Sequence, residues 1–213
     1  MRMARHSMAL PWRVLSAVIL AAGDSSRMGA PKAALVTPDS GDSFIARIVR
    51  TLRDAQVHDL VIVTGRHHDA VIEALTRDRV MPSPRIVRNP DPSRGQLSSL
   101  LAGMDAVVTP HTEAVMMTLV DVPLVRVSTV IAVIDTWRRS RAPIVRPAIG
   151  DRHGHPVIFD GAVLDEIRRA PLDAGAKSVV RAHEHELVNV PVDDEGCVRD
   201  VDTPGDYEAL RQV

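Results

Sequence analysis

Aromatic residues are nearly missing from this chain of 213: two Trp, one Tyr and two Phe are all it has. A core with so few rings must be aliphatic, and stacking platforms for single-stranded nucleic acid lack their material. Cysteine is rarer still. The one thiol, Cys197, rules out an internal disulfide and a multi-cysteine zinc site. A net charge of -1 gives no broad basic surface for a nucleic-acid backbone to lie on. No apolar run approaches the length that spans a bilayer. The apolar stretch 14–22 leads into a glycine loop, not a cleavage site, so it reads as a core strand and not as a signal peptide. Lysine is the last scarcity. Of 26 basic residues only Lys32 and Lys177 are lysine, so a lysine inside a loop motif calls for a reason.

What is present is enough for a full core: 45% of the residues are hydrophobic. Residues 14–21 are rich in β-branched side chains and apolar on both faces, as a central parallel strand requires. Further strands are predicted at 60–64, 85–88, 114–120 and 142–146, and helices at 43–55, 68–75, 96–107 and 127–139. Beyond Pro147 the pattern changes. A strand at 155–159, helices at 162–169 and 176–183, strands at 186–190 and 197–201, and a closing helix at 204–211 are expected there. The last two strands read as a hairpin around Asp193-Asp194-Glu195-Gly196. Alternating strands and helices predict an α/β fold: three layers, a mainly parallel mixed sheet, helices on both faces. In such a sheet ligands sit beyond the carboxyl ends of the strands, which brings the loop at Gly23, the loop 89–99 and Asp121 to one rim. Residues 1–13 read as a disordered extension and 14–213 as a single domain.

The strongest local signal is Leu20-Ala21-Ala22-Gly23-Asp24-Ser25-Ser26-Arg27-Met28-Gly29-Ala30-Pro31-Lys32. Small residues Ala21, Ala22 and Gly23 let backbone N–H groups approach a phosphate or a base edge. Arg27 adds a planar fork and Lys32 a compact point charge, a pair suited to a polyphosphate. The spacing alone fits a plain strand-to-helix turn with two solvated bases equally well. It contains neither Gly-Lys-Ser/Thr nor GxGxxG. Taken alone, Asp121 is a turn or capping carboxylate. Asp202 or Thr203 is the cap of the helix that opens at Pro204.

The segment resembles the LAAGxSxRMGxPK signature of the MobA-like NTP transferases, which share a fold with the sugar-nucleotide transferases. The other landmarks resemble the molybdenum cofactor cytidylyltransferase branch of that family. They are Gly95-Gln96-Leu97-Ser98-Ser99-Leu100, Leu119-Val120-Asp121-Val122-Pro123, Gly154-His155-Pro156 and Asp200-Val201-Asp202-Thr203-Pro204, in the family's order across 16–211.

The resemblance implies a role for each. The backbone of Leu20, Ala21, Ala22 and Gly23 holds the nucleobase and phosphates. Arg27 and Lys32 clamp the triphosphate as the catalytic cations, and Asp121 and Asp202 coordinate Mg²⁺. Gly95, Ser98 and Ser99 touch base and ribose, with ordinary helix capping by the serines as the alternative. Asn89 is a further nucleotide contact, with a turn asparagine before proline as the alternative. His155 is assigned to the acceptor. Residues 14–147 then form the nucleotide-binding part, and 148–213 the part that binds the acceptor and completes the metal site. The implied reaction moves CMP from CTP to the phosphate of the molybdenum-pterin cofactor, in the cytoplasm, without nucleic acid or membrane. Gln96-Leu97-Ser98-Ser99 differs from the branch's triple serine, which leaves the base open. GTP as donor, another small phosphorylated acceptor, or a catalytically silent nucleotide-binding accessory protein are the rival readings. The remaining histidines read as solvated and Cys197 as a packing residue.

Overall fold

A computed structural model describes residues 14–210. The expected extension 1–13 and the expected end of the closing helix at Arg211 lie outside the described residues.

Strand β1, Val14–Ala21, runs through the centre. It pairs in parallel with β2, Asp59–Thr64, on one side and with β4, Thr112–Leu119, on the other. Its register sets Val18 opposite Val61 and Met117. Strand β3, Arg85–Arg88, extends the parallel half beyond β2. Past β4 the sheet turns mixed. Strand β7, Val157–Asp160, is antiparallel to β4 and to β5, Ile144–Ile149. The short β6, Arg152–His153, and β8, Val188–Pro191, both pair with β5. The path is β3-β2-β1-β4-β7-β5-β6, with β8 beside β5.

Period-two alternation divides β1 between two cores. Ala17, Ile19 and Ala21 face α1 (Phe44–Asp54), α2 (His68–Arg77) and α4 (Val127–Ser140). Val18 and Leu20 face α3 (Gln96–Val107), α5 (Leu164–Arg169) and α6 (Lys177–Ala182). The closing helix α7, Pro204–Leu210, joins the first group through Leu210. This is the three-layer arrangement expected from the pattern. Helix α3 lies close on the sheet because residue 103 is glycine: a Cβ there would come within 2.9 Å of Val63 Cγ2. That close seat carries the amino end of α3 to the rim where β1 and β4 end.

The second half departs from the sequence reading. No strand forms at 197–201 and no hairpin around 193–196. Glu195–Cys197 is a single 3-10 turn, and β8 pairs in parallel with β5. The cause is Asp194, which is buried. Its carboxylate accepts from Gly196 N (3.1 Å), and from Arg126 N (2.8 Å) and Thr129 Oγ1 (2.7 Å) at the start of α4. The segment is a strap over a helix end, and Val201 is apolar because it is buried against the core. Strand β7 begins at Val157, not at 155, because His155 N donates to Cys197 O (2.8 Å). Strand β4 ends at Leu119, so Asp121 stands in the turn beyond it.

Candidate active site

Three loops meet at the carboxyl ends of the parallel strands. At Gly65 a Cβ would lie 2.6 Å from Ala22 O and 2.9 Å from Pro92 Cγ, so only glycine lets the loops after β1, β2 and β3 touch. The loop after β1 folds upon itself. Met28 N and Gly29 N both donate to Ser25 O (3.0 and 3.2 Å), and Lys32 N donates to Ser25 Oγ (3.2 Å). This curl sends Lys32 inward, its side chain 12% exposed, and leaves Arg27 at the mouth, 67% exposed.

Asp121 and Asp202 are brought side by side by backbone. Val120 N donates to Leu20 O (3.0 Å), and Val201 N donates to Asp121 O (2.8 Å). Asp202 does not cap α7. Thr203 does, accepting from Asp206 N (3.2 Å), while the Asp206 carboxylate takes Thr203 N (2.8 Å) and Asp202 N (3.1 Å) in a reciprocal capping box. The Asp202 carboxylate is thereby left to the cleft. Lys32 Nζ donates to Asp121 Oδ2 (3.2 Å) and to Asp202 Oδ1, and Arg27 Nη2 donates to Asp202 Oδ2 (2.8 Å).

The electrostatics follow from this arrangement. The Lys32 ammonium, and then Arg27, hold Asp202 below the usual carboxylate range. Asp200 is pushed up, by burial first and then by the charges of Asp121 and Asp202. Asp121 Oδ1 is buried and has no hydrogen-bond partner. A shielded, unpaired carboxylate oxygen is a poor structural element and a good ligand for a hard cation. Among the described residues no group of three or more His, Cys, Asp or Glu clusters to hold a metal. The donor set therefore fits a divalent ion that takes one or two carboxylates and finds its remaining oxygens elsewhere, as on a polyphosphate.

The cleft beside these groups has a volume of about 340 Å³. Leu20, Ala21, Ala22, Gly23, Arg27, Lys32, Gly95, Asp121 and Asp202 all line it. Three other expected site residues do not. Asn89 is buried, and its Nδ2 donates to Ser98 Oγ (2.8 Å) and Ser99 Oγ (3.0 Å) while its Oδ1 accepts from Asp91 N (3.0 Å). It fastens the loop after β3 to α3, and faces instead a neighbouring basin of about 530 Å³. Ser98 is turned to Gly95 O (2.7 Å) and to Asn89. His155 is partly buried behind the wall, with Nδ1 unpartnered. Burial pushes its pKa down, against the nearby charge of Asp121.

Ser99, expected with Ser98 at base and ribose, lines the cleft, and so do Gln96 and His67, which sequence reasoning missed. Gln96 was findable. Gly95, at φ +94, caps α3, and residues three apart on a helix share a face, so Gln96 and Ser99 look the same way. His67 had no signal; its Nε2 meets Asp24 O (3.0 Å) and tethers the glycine loop to the start of α2.

A relative from Rhodopirellula baltica, a probable molybdenum cofactor guanylyltransferase, is 26% identical over 206 residues, 90% of this chain and 89% of the relative. The crystal structure of Rv0371c from Mycobacterium tuberculosis H37Rv superposes with a TM-score of 0.81 at 29% identity, covering 96% of this chain and all of that one. A complex of Rv0371c with manganese is similar at 26% identity and a TM-score of 0.73, over 94% of this chain and 99% of that one. Residues 17–187 match the model of the MobA-like NTP transferase domain, and with the glycine loop and its paired cations lining one cleft, the chain belongs to that family and is a nucleotidyltransferase.

Proposed function

We propose that the enzyme transfers CMP from CTP to the phosphate of the molybdenum-bearing pterin cofactor and releases pyrophosphate. The observation that carries the reading is the convergence of Arg27, Lys32, Asp121 and Asp202 on a cleft rimmed by the backbone of residues 20–23. In this reading the N–H groups at Ala22 and Gly23 receive the nucleotide. Arg27 and Lys32 leave their carboxylates to clamp the triphosphate and to take up the charge that grows on departing pyrophosphate. An oxygen of the acceptor phosphate attacks the α-phosphorus in line, so one P–O bond forms as the bond to pyrophosphate breaks. That oxygen is already anionic, so no general base is required. Asp121 and Asp202 would hold Mg²⁺, whose contribution when bound is to screen the phosphate charges and orient the chain of phosphates. Residues 14–147 supply the nucleotide half of the site. The part from 148 onward supplies Asp202 and, in this reading, the acceptor contacts.

The choice of CTP rests on the motifs shared with the cytidylyltransferase branch. The Rhodopirellula baltica relative favours a second reading with GTP. Incubation with α-labelled CTP or GTP, Mg²⁺ and the pterin cofactor separates them: labelled dinucleotide is expected with CTP. Label transfer only from GTP moves the assignment to a guanylyltransferase, and no transfer from either removes the acceptor. Among the described residues no helix is long and apolar enough to cross a membrane, and the reading adds a cytoplasmic location.

A further inference from the structure

The side chain at the centre of the cleft is Lys32, and it makes both of its ion pairs to the two carboxylates read as metal ligands. Its ammonium lies between Asp121 Oδ2, at 3.2 Å, and Asp202 Oδ1. A divalent cation shared by Asp121 and Asp202 would compete for those same two oxygens. The stem of Lys32 is anchored, since residues Lys32–Ala34 form a 3-10 turn and Lys32 N is held by Ser25 Oγ. A lysine stem is a flexible four-carbon chain, and its charge is a point that needs no fixed fork geometry. Arg27 is placed differently, 67% exposed and on the outer oxygen of Asp202 alone.

From this geometry we infer that Lys32 is a placeholder cation, which keeps divalent metal off Asp121 and Asp202 until a triphosphate draws the ammonium away. The inference rests on the reading of that pair as the metal ligands. An incoming metal ion must displace an ammonium from two carboxylates, and the displaced charge needs an anion within reach of its stem. Without a nucleotide the other anions nearby are Asp24 on the cleft wall and Asp200, which feels the Lys32 charge, and neither is ion-paired with Lys32. A triphosphate lying along residues 21–23 supplies one, and its oxygens complete a coordination shell that two carboxylates leave short. Metal and nucleotide therefore enter together. A free metal ion is held weakly, and the enzyme does not sit loaded with metal between turnovers.

The test is Mn²⁺ binding to the full-length protein without nucleotide, read from the electron paramagnetic resonance of free Mn²⁺. Wild type is expected to bind weakly, and Lys32→Met and Lys32→Gln at least about tenfold more tightly, as removal of a competing charge near two carboxylates implies. Equal or weaker binding by both variants overturns the inference. Adding Asp121→Asn to Lys32→Met is expected to abolish the gain. If the gain survives, the metal is elsewhere and the placeholder role fails with it. The parent reading is probed separately: Mn²⁺ bound to wild type with a non-hydrolysable CTP analogue should be lost in Asp121→Asn and Asp202→Asn. That result can stand even where the placeholder fails. The unmutated chain gives a further check, because its only lysines are Lys32 and Lys177. Saturating Mn²⁺ alone should raise the acylation rate of Lys32 relative to Lys177, measured by mass spectrometry. An unchanged ratio counts against displacement.

Discussion

A carboxylate is free for chemistry only when something else does its structural work, and Asp202 and Asp206 divide the labour in that way. Thr203 and Asp206 cap α7, so Asp202 faces Lys32 and Arg27. Thr203→Ala is expected to cost about 1 kcal/mol of stability by the loss of a cap. It should also lower kcat/KM, because the frayed turn no longer aims Asp202. Thermal melts and steady-state kinetics check the two parts. Asp121→Asn keeps the shape and removes the charge; kcat is expected to fall by about 10²–10³, the scale of one lost electrostatic contact to the transition state. Unchanged turnover would remove Asp121 from the reaction. The sequence singled out these two carboxylates through motifs that resemble the family's, Leu119-Val120-Asp121-Val122-Pro123 and Asp200-Val201-Asp202-Thr203-Pro204, since their neighbours alone read as turns and caps. It could not distribute the capping role, because Asp202 and Thr203 are chemically equal candidates and only the reach of Asp206 decides. Of the two readings open for Asn89, its hydrogen bonds support the turn asparagine. An amide before proline looks available, yet both of its ends are taken by Ser98, Ser99 and Asp91.

Elements with one simple period were legible. Strand β1 and helix α3 coincide with their expected ranges, because a β-branched apolar run ends at the Ala22-Gly23 loop in the one, and Leu97, Leu100, Met104 and Val107 recur at helical spacing in the other. The strap at 194–201 was not legible. Its valines read as a strand, but the force shaping it is one buried carboxylate bonded to a helix start more than sixty residues earlier. No local pattern reports such a partner. Asp194→Ala leaves Arg126 N, Thr129 Oγ1 and Gly196 N without that acceptor, and a cost of about 3 kcal/mol is expected for a buried charge-assisted set. Urea unfolding measures it; a loss below about 0.5 kcal/mol, the level of an ordinary surface substitution, would refute the strap. Packing of α3 gives a second test. Gly103→Ala forces a methyl against Val18 and Val63. Overpacking of this kind costs about 1–3 kcal/mol. Because α3 carries Gly95, Gln96 and Ser99 to the cleft, KM for the nucleotide should rise along with the loss of stability.

At the scale of the molecule, the site joins segments from both ends of the described chain. Arg27 and Lys32 lie on the loop after β1, while Asp202 lies just before α7. Two cations and two carboxylates balance one another there, so a triphosphate alone brings charge without enough counter-charge, and a metal ion alone must evict Lys32. On the proposed reading, the pair together leaves each carboxylate facing the metal and each side-chain cation facing phosphate. Thermal stability should follow this logic. A ligand that binds the native state at about a hundred times its Kd adds about 2.7 kcal/mol, which for a chain of this size raises the melting temperature by roughly 5–10 °C. The full rise is expected with CTP and Mg²⁺ together, and a much smaller one with either alone. In Asp202→Asn the combined rise should shrink toward that of CTP alone, since on the proposed reading the metal then has one carboxylate to share with the phosphates instead of two. If Mg²⁺ without nucleotide gave the whole rise in wild type, the two halves of the cleft would be joined by metal alone. The balance of charge around Lys32 would then not govern how the site fills.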